Sequence, residues 1–275
     1  MRCAAFMLAV ALACAAASPV PVRAQTADLV DRSALRICAD PANMPFSDKS
    51  RKGFENKLAD LIGAKLEVPV VYTWFPQATG FIRRTLGARK CDLVIGYAQG
   101  HELVQNTNHY YRSAYVLIYR SGSELEGVTS LDDERLKDKR IGVIAGTPPA
   151  TVMALNGLIG KAKPFHLVVD RRHSSPGEEM VAEIASGKLA AGVLWGPIGG
   201  YYARKNGASL AVVPLVHESR GPRMVYRITM GVRRQEKEWK RQLNRLLRKH
   251  RDEIHEILSG YGIPLLDEQD KLIVQ

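Results

Sequence analysis

The chain has 275 residues, of which 46% are hydrophobic and 24% are charged, and this composition excludes intrinsic disorder and a collagen-like repeat. Lysine and arginine total 39 against 28 aspartate and glutamate residues, which gives a formal net charge of +11. Such a basic balance favours an acidic partner, which is nucleic acid, an anionic membrane surface or an acidic protein.

Residues 1–24 predict an export signal that is removed from the mature protein. Arg2 is followed by an apolar run over 3–17, and Pro19 and Pro21 then interrupt any helix. This run is too short to span a bilayer, and small or modest residues at the end of the segment fit cleavage after Ala24. A buried N-terminal helix is the alternative. No later segment approaches about 20 consecutive apolar residues, so we expect an exported protein without membrane insertion.

Cleavage at this position sharpens the charge argument. It removes two basic residues and no acidic one, which leaves 37 against 28 and a net charge of +9 over 251 residues. Nucleic acid is not an expected partner of an exported protein, so the excess points to an acidic protein or to solubility alone.

The first part of the mature chain predicts a βαβαβ unit. Its strands cover 35–39, 68–74 and 91–96, and its helices cover 53–66 and 81–87. The third strand, CDLVIG, is a continuous apolar run, which is typical of a parallel sheet. An α/β unit with right-handed crossovers follows from this order.

The second part predicts another α/β unit between two long strands. The strands over 110–120 and 225–232 have no helix of their own, which indicates two crossings between lobes. The prediction is an α/β fold with a first lobe of 25–118 plus 226–275, a second lobe of 119–225, and a central cleft suited to a ligand. The remaining predicted elements are strands over 140–145, 165–170 and 190–195, a helix that opens at 146–149, a helix over 176–186 and a closing helix over 236–258.

Side chains that follow predicted strands are the candidates for the cleft. Gly146 and Thr147 open a helix, where free N–H groups bind an anion or a carbonyl, although ordinary capping explains them as well. Trp195 is either a cleft wall or a core residue. Arg112, at the lobe crossing, either meets an anion or, as we favour, anchors the hinge by an ion pair. The full candidate set is Asp40, Asn43, Met44, Phe46, Trp74, Tyr97, Arg112, Gly146, Thr147 and Trp195.

Cys38 and Cys91 are the cysteines that remain after cleavage. An oxidising compartment favours a disulfide between them. If their strands are parallel neighbours, however, the two residues are offset by about three positions, or roughly 10 Å, which is beyond bridging distance. The sequence therefore leaves this disulfide open.

Catalytic and metal-binding signatures are absent from the sequence. None of the seven histidines forms an HxxxH pair, and no Cys/His cluster has zinc spacing. The chain also lacks GxSxG, GxGxxG and GxxxxGK[ST]. We therefore expect a protein that is not an enzyme, with no catalytic residues, no metal site and no cofactor.

The closing helix carries a run of charge. Nine lysine and arginine residues lie between 233 and 251, with two glutamates among them. A solvated face of an amphipathic helix is the favoured interpretation. The alternative is a docking face for an acidic protein, with Lys240, Arg241 and Arg245 as its candidate residues.

Seven segments of the chain carry a resemblance to a known family. They are LRICADPANMPFS, GFENKLADLI, KCDLVIG, YYRSAYV, IGVIAGTPP, LWGPIGGYYA and YRITMGVRR. Together they resemble the quinoprotein (methanol) dehydrogenase-associated binding proteins of the MxaJ/XoxJ type. The resemblance covers almost the whole mature chain, and CADPANMPFS and WGPIGGYYA are its specific parts. The stretch YAQGHELVQNTNHYYRS resembles the XoxJ side of the family.

The resemblance implies a type II periplasmic binding protein fold with two hinge strands. It implies a monomeric periplasmic accessory protein that assists activation or assembly of a PQQ-dependent methanol dehydrogenase, with the lanthanide-dependent form and its cytochrome c as expected partners. Amino-acid receptors of this fold carry an arginine after the third strand, yet 96–102 has none. They also carry an aspartate at the end of a second-lobe strand, where the local residues here are Leu194, Trp195 and Gly196, so the charges of a zwitterion would be left unpaired. A transporter receptor for an uncharged or aromatic solute is the alternative function.

Overall fold

The structure is a computed structural model that describes residues 29–100 and 102–273, so the predicted export signal lies outside the described residues. Within the described part, no helix combines the length and the apolar content that a membrane crossing needs. The strands are β1 (Leu35–Ala39), β2 (Ala42–Asn43), β3 (Ser47–Asp48), β4 (Val70–Trp74), β5 (Val94–Ala98), β6 (Gln105–Arg120), β7 (Ile141–Ile144), β8 (Lys163–Phe165), β9 (Ala191–Trp195), β10 (Leu210–Pro214) and β11 (Val225–Val232). The helices are α1 (Phe54–Leu66), α2 (Phe81–Arg84), α3 (Pro148–Leu155), α4 (Pro176–Ala185), α5 (Gly196–Asn206), α6 (Lys237–Lys249) and α7 (Arg251–Gly260).

The long strand β6 connects the two halves of the molecule. Its first part, 105–114, pairs antiparallel with β11, and 115–119 pairs antiparallel with β9. The resulting sheet has the order β5-β11-β6-β9-β7-β8, with β10 beside β6. Strands β1 and β4 form a separate parallel pair, which meets the segment before β5 at a bridge between Ile37 and Leu93. The two strands predicted without helices, β6 and β11, are therefore hydrogen-bonded neighbours.

Hydrophobic cores form on both sides of this connection. One core joins α1, α6 and α7 to β1, β5 and β11, with Phe54, Leu58 and Leu243 fully buried. Alternate residues of β6 enter two further cores, because successive side chains of a strand point to opposite faces. Val116 packs in one of these cores and Leu117 in the other. The lobe boundaries at 118/119 and 225/226 stay a prediction, and the lobes are named below by those ranges.

Three regions differ from the sequence prediction. The strand expected over 165–170 ends at Phe165, and the chain continues as a loop. The closing helix breaks at His250 into α6 and α7. Helix α5 and strand β10 were not predicted. Glycines disfavour a helix interior, but at Gly200 a side chain would collide with the carbonyl oxygen of Gly262, so tertiary packing selects glycine inside α5.

Cys38 and Cys91 form a disulfide with a Cα–Cα distance of 5.5 Å. The predicted offset between Cys38 and Cys91 is wrong because it assumed an extended strand from position 91. The chain bends at Asp92 instead, and the backbone N–H groups of Asp92 and Leu93 both donate to the Arg36 carbonyl oxygen, at 2.8 and 3.2 Å. This bend reduces the offset between Cys91 and Cys38 along β1, so the two residues come within bridging distance.

Removing the disulfide is expected to lower the free energy of unfolding by about 2–4 kcal/mol, because the crosslink restricts an unfolded loop of 53 residues. The test compares urea unfolding of the Cys38→Ala, Cys91→Ala double variant with that of the oxidised protein. The native protein in a thiol reductant serves as the matched control and should approach the same midpoint. An unchanged midpoint in the double variant would contradict the structural role of the bridge.

Candidate functional site

A pocket of about 580 Å³ lies between the lobes. Residues 41–44 of the first lobe form one wall, and the loop and helices of the second lobe form the other. Tyr115 of β6 and Trp195 at the end of β9 lie where the strands cross between the lobes. The volume is within the usual range for a small-molecule or side-chain pocket.

An aromatic cluster forms the hinge side of this pocket. The Trp195 ring centroid lies 5.4 Å from that of Tyr115 and 5.7 Å from that of Tyr226, in edge-on arrangements. Burial raises the pKa of Tyr115 to about 12, so its hydroxyl is neutral at physiological pH. Trp195 thus combines the two roles that the sequence left open, since it lines the pocket and packs among aromatic side chains.

Four of the predicted cleft residues line the pocket, and a fifth supports it. The four are Asn43, Met44, Thr147 and Trp195. Asp40 is buried behind the first-lobe wall, where its carboxylate accepts hydrogen bonds from the backbone N–H groups of Ala42 (2.9 Å) and Gln77 (2.6 Å). Its Oδ2 also lies 3.7 Å from Nη1 of the pocket residue Arg171.

Thr147 is the N-cap residue of α3, but its side chain does not cap the helix. Its hydroxyl donates to the Ile144 carbonyl oxygen at 2.6 Å. Gly146 has a positive φ of 75° and makes the turn into the helix, and it is not among the lining residues. Of the two expected anion-binding positions, therefore, only Thr147 reaches the pocket.

The remaining candidates lie elsewhere in the first lobe. Phe46 packs on Phe54 in the first-lobe core, with ring centroids 5.3 Å apart, and Trp74 stacks on Tyr72 at 4.5 Å. The Tyr97 side chain packs in the small cluster beside the disulfide. These three residues were predicted to face the cleft, but their side chains are taken up by local packing and do not line the pocket.

Arg112 serves the hinge rather than the pocket. It is 8% exposed, and its guanidinium forms ion pairs with Glu268, at 3.0 Å, and with Asp270. Glu268 also pairs with Arg227 of β11 at 2.9 Å. Hydrogen bonds from Arg227 and His109 lower the pKa of Glu268 to about 2. The C-terminal segment thus ties the two crossing strands together, as the hinge-anchor interpretation expected.

The pocket also contains charged side chains that were not among the predicted cleft residues, and most of them are paired. Arg172 pairs with Asp170 at 2.6 Å, and this pair lowers the pKa of the carboxyl group. Lys205 pairs with Glu178 at 2.7 Å. These residues lie on the loop after β8 and on α4 and α5. The sequence did not place them at the cleft, because a strand was expected over 165–170 and α5 was not predicted.

The lobes touch through the second-lobe helix α5. The hydroxyl of Tyr202 accepts a hydrogen bond from Ser175 at 3.0 Å and lies 3.5 Å from the Met44 carbonyl oxygen across the cleft. Tyr201 stacks on Tyr261, with centroids 6.0 Å apart. The motif GGYYA therefore supplies both a pocket wall and a lobe contact. Aspartate, glutamate, cysteine and histidine side chains do not gather into a metal site anywhere in 29–100 or 102–273.

Known proteins are similar to this chain over nearly its full length. No protein-family model matches it. The curated protein MoxJ of Methylorubrum extorquens AM1 is 29% identical over 94% of this chain and 93% of its own length. The crystal structure of periplasmic binding protein XoxJ from Methylobacterium extorquens AM1 is 43% identical, with a TM-score of 0.73, over 85% of this chain and 100% of that one. MxaJ from Methlophaga aminisulfidivorans MPT is 25% identical, with a TM-score of 0.72, over 84% of this chain and 100% of that one.

These comparisons confirm the α/β, type II periplasmic binding protein fold that the resemblance implied. An identity of 43% across the whole of a solved relative also shows common descent beyond a shared fold. The chain belongs to the MxaJ/XoxJ-like family of periplasmic binding proteins.

Proposed function

We propose that this protein is a non-enzymatic accessory protein of periplasmic methanol oxidation. It assists activation or assembly of a PQQ-dependent methanol dehydrogenase, of the lanthanide-dependent form, through its inter-lobe cleft. The observation that carries the proposal is the similarity to periplasmic binding protein XoxJ over 85% of this chain and 100% of that one. The link to methanol oxidation is what the resemblance to this family implies. The dehydrogenase's cytochrome c is a second expected partner, and export with cleavage after Ala24 is part of the same proposal.

The chemistry of the cleft supports a partner segment as its occupant. The Tyr115 and Trp195 rings offer an apolar surface to an aromatic or aliphatic side chain. A free amino acid would need a cation and an anion for its two charges, but the strand end where amino-acid receptors of this fold carry an aspartate has Leu194, Trp195 and Gly196 here. Arg171 already faces the buried Asp40, so the cleft has little unpaired charge to offer a zwitterion.

The size of the pocket also favours a second candidate function, that of a transporter receptor. A volume of about 580 Å³ suits a small solute, so a transporter receptor for an uncharged or aromatic molecule is the alternative. The two functions differ in what the purified protein should carry, which is a dehydrogenase in one case and a small molecule in the other.

Affinity capture from the periplasm of methanol-grown cells tests the proposal. The tagged native protein should recover the dehydrogenase, and Trp195→Ala should recover at least about tenfold less, because an aromatic anchor of an interface is worth roughly 2 kcal/mol or more. Trp74→Ala is the matched control, since Trp74 stacks on Tyr72 outside the pocket, and it should behave like the native protein.

Two outcomes would overturn this reading. A small molecule that co-purifies with the native protein, in the absence of any dehydrogenase, would establish the receptor function instead. Equal recovery by the Trp195→Ala variant would place partner binding outside the cleft. Met44→Lys, which puts a long charged side chain into the first-lobe wall, provides a second blocking variant if Trp195→Ala fails to fold.

A further inference from the structure

A second groove, of about 880 Å³, lies on the first lobe and is distinct from the inter-lobe pocket. It runs between the first half of β6, helices α6 and α7, and the segment 266–268. We propose that this groove, called the α6 groove below, binds an acidic segment of a protein partner. The proposal does not depend on what the inter-lobe cleft holds.

A row of cations faces the α6 groove. Lys240, Arg248 and Arg251 all line it, with Asn244 between the first two. Positions four apart lie on the same side of a helix, so 240, 244 and 248 form one continuous edge of α6. None of the three cations forms an ion pair with another described residue, so their charges are available to a ligand.

The neighbouring row on the same helix does not line the groove. Arg241 forms an ion pair with Glu238, and Arg245 is exposed but does not line the groove. Of the docking face expected from the sequence, only Lys240 therefore faces a concave surface. The three cations that line the groove give it charge complementarity to an acidic ligand.

Polar groups without partners favour a peptide over a simple anion. Oε1 of Gln105 and Nε of Arg112 are buried atoms with no hydrogen bond within the described chain, and both residues line the groove. The first needs a donor and the second needs an acceptor. A peptide backbone offers both, whereas phosphate and carboxylate groups without a backbone offer acceptors alone.

The shape of the groove argues against an anionic membrane. Its cations line a concavity whose lining also includes Asp267 and Glu268. A bilayer surface is too broad to enter this concavity. A single extended chain with acidic side chains can lie along the cationic edge of α6.

The test uses fluorescence anisotropy of a labelled oligoglutamate peptide with the full mature protein. Lys240→Glu with Arg248→Glu should weaken binding by at least about tenfold. The matched control is Arg245→Glu with Lys249→Glu, which makes the same change in charge on the same helix outside the groove. It should keep affinity within about threefold of the native protein, and added salt should weaken native binding.

Each of the other outcomes overturns the proposal. Equal loss in the two double variants would show general attraction to a basic helix rather than a groove. Binding to phosphatidylglycerol vesicles without binding to oligoglutamate would assign the surface to a membrane. Absence of peptide binding at low salt would contradict an acidic segment as the occupant of the groove. Circular dichroism and urea unfolding of both double variants would identify a variant that fails to fold, and Arg251→Glu would then replace Arg248→Glu.

Discussion

Replacing Asp92 with asparagine is expected to lower the free energy of unfolding by about 3–5 kcal/mol. The Asp92 carboxylate is almost fully buried and pairs with Arg36 at 2.7 Å and with Arg233. Arg233 is buried as well, and it donates to the Cys91 carbonyl oxygen at 2.5 Å. An uncharged side chain at position 92 would leave the positive charge of Arg233 with the single compensating carboxylate of Glu236.

This ion-pair network fixes the start of the closing helix. Arg233 follows β11 directly, and the Trp239 indole N–H of α6 donates to the Asp92 carbonyl oxygen at 3.2 Å. The same few residues therefore connect β1, the disulfide, β11 and α6. Because α6 forms a wall of the α6 groove, loosening this network should also weaken oligoglutamate binding.

Urea unfolding measures the Asp92→Asn effect against a matched carboxylate on the surface. Asp60 pairs with Arg51 where both side chains are more than a third exposed, so Asp60→Asn should cost less than about 1 kcal/mol. Similar losses in the two variants would contradict the role of burial.

The pH dependence supplies a second readout for Asp92. Burial alone would raise its pKa, but hydrogen bonds from Arg36 and Arg233 outweigh burial and lower it below the ordinary 3.8. The stabilising charge is therefore complete above that value and is lost as the pH falls toward the folded-state pKa. The difference between native protein and Asp92→Asn should consequently shrink in acid.

The sequence predicted the elements whose hydrophobic period is regular. Strand β1 and the core-facing side of α1 follow this rule, since Phe54, Leu58 and Ile62 recur at helical spacing and are all buried. Some residues at or after strand ends also line the pocket, namely Asn43, Met44, Thr147 and Trp195. Asn43 and Met44 follow β1, whereas Thr147 follows β7 and Trp195 ends β9 of the larger sheet, so the pocket is lined from two different sheets.

Other features depend on contacts that local periodicity does not encode. Arg233 belonged to a run of charge that suggested a solvated face, and its burial depends on Asp92, which lies 141 positions earlier in the chain. Helix α5 contains glycines that disfavour helix locally and are selected by contact with Gly262. Its side chains Tyr201 and Tyr202 were therefore absent from the predicted cleft.

Glu55 is the clearest case of a charged residue with no local signal for its role. It lies on the buried face of α1, and its carboxylate packs against the Cα of Gly96, where any side chain would collide with it. The described residues give this carboxyl group no hydrogen-bond donor, while Asp40, Tyr110 and Tyr111 are its titratable neighbours. Burial, followed by repulsion from Asp40, raises the pKa of Glu55 from 4.5 to about 8.

Stability should therefore fall as the pH rises across the interval between these two pKa values. The unfolded chain releases the Glu55 proton near pH 4.5 and the folded protein retains it to about pH 8, so higher pH favours the unfolded state. The slope is up to about 1.4 kcal/mol per pH unit, and Glu55→Gln should abolish it because glutamine stays neutral.

Urea unfolding at a series of pH values measures the difference in stability between the native protein and Glu55→Gln. The histidine titrations contribute equally to both proteins and cancel in this difference. Glu256→Gln, at an exposed position of α7, is the matched control and should run parallel to the native protein. If the Glu55→Gln profile also runs parallel to that of the native protein from pH 4.5 to 8, the pKa of Glu55 is not raised in the folded protein. The Gly96 contact must then leave the carboxyl group accessible to solvent.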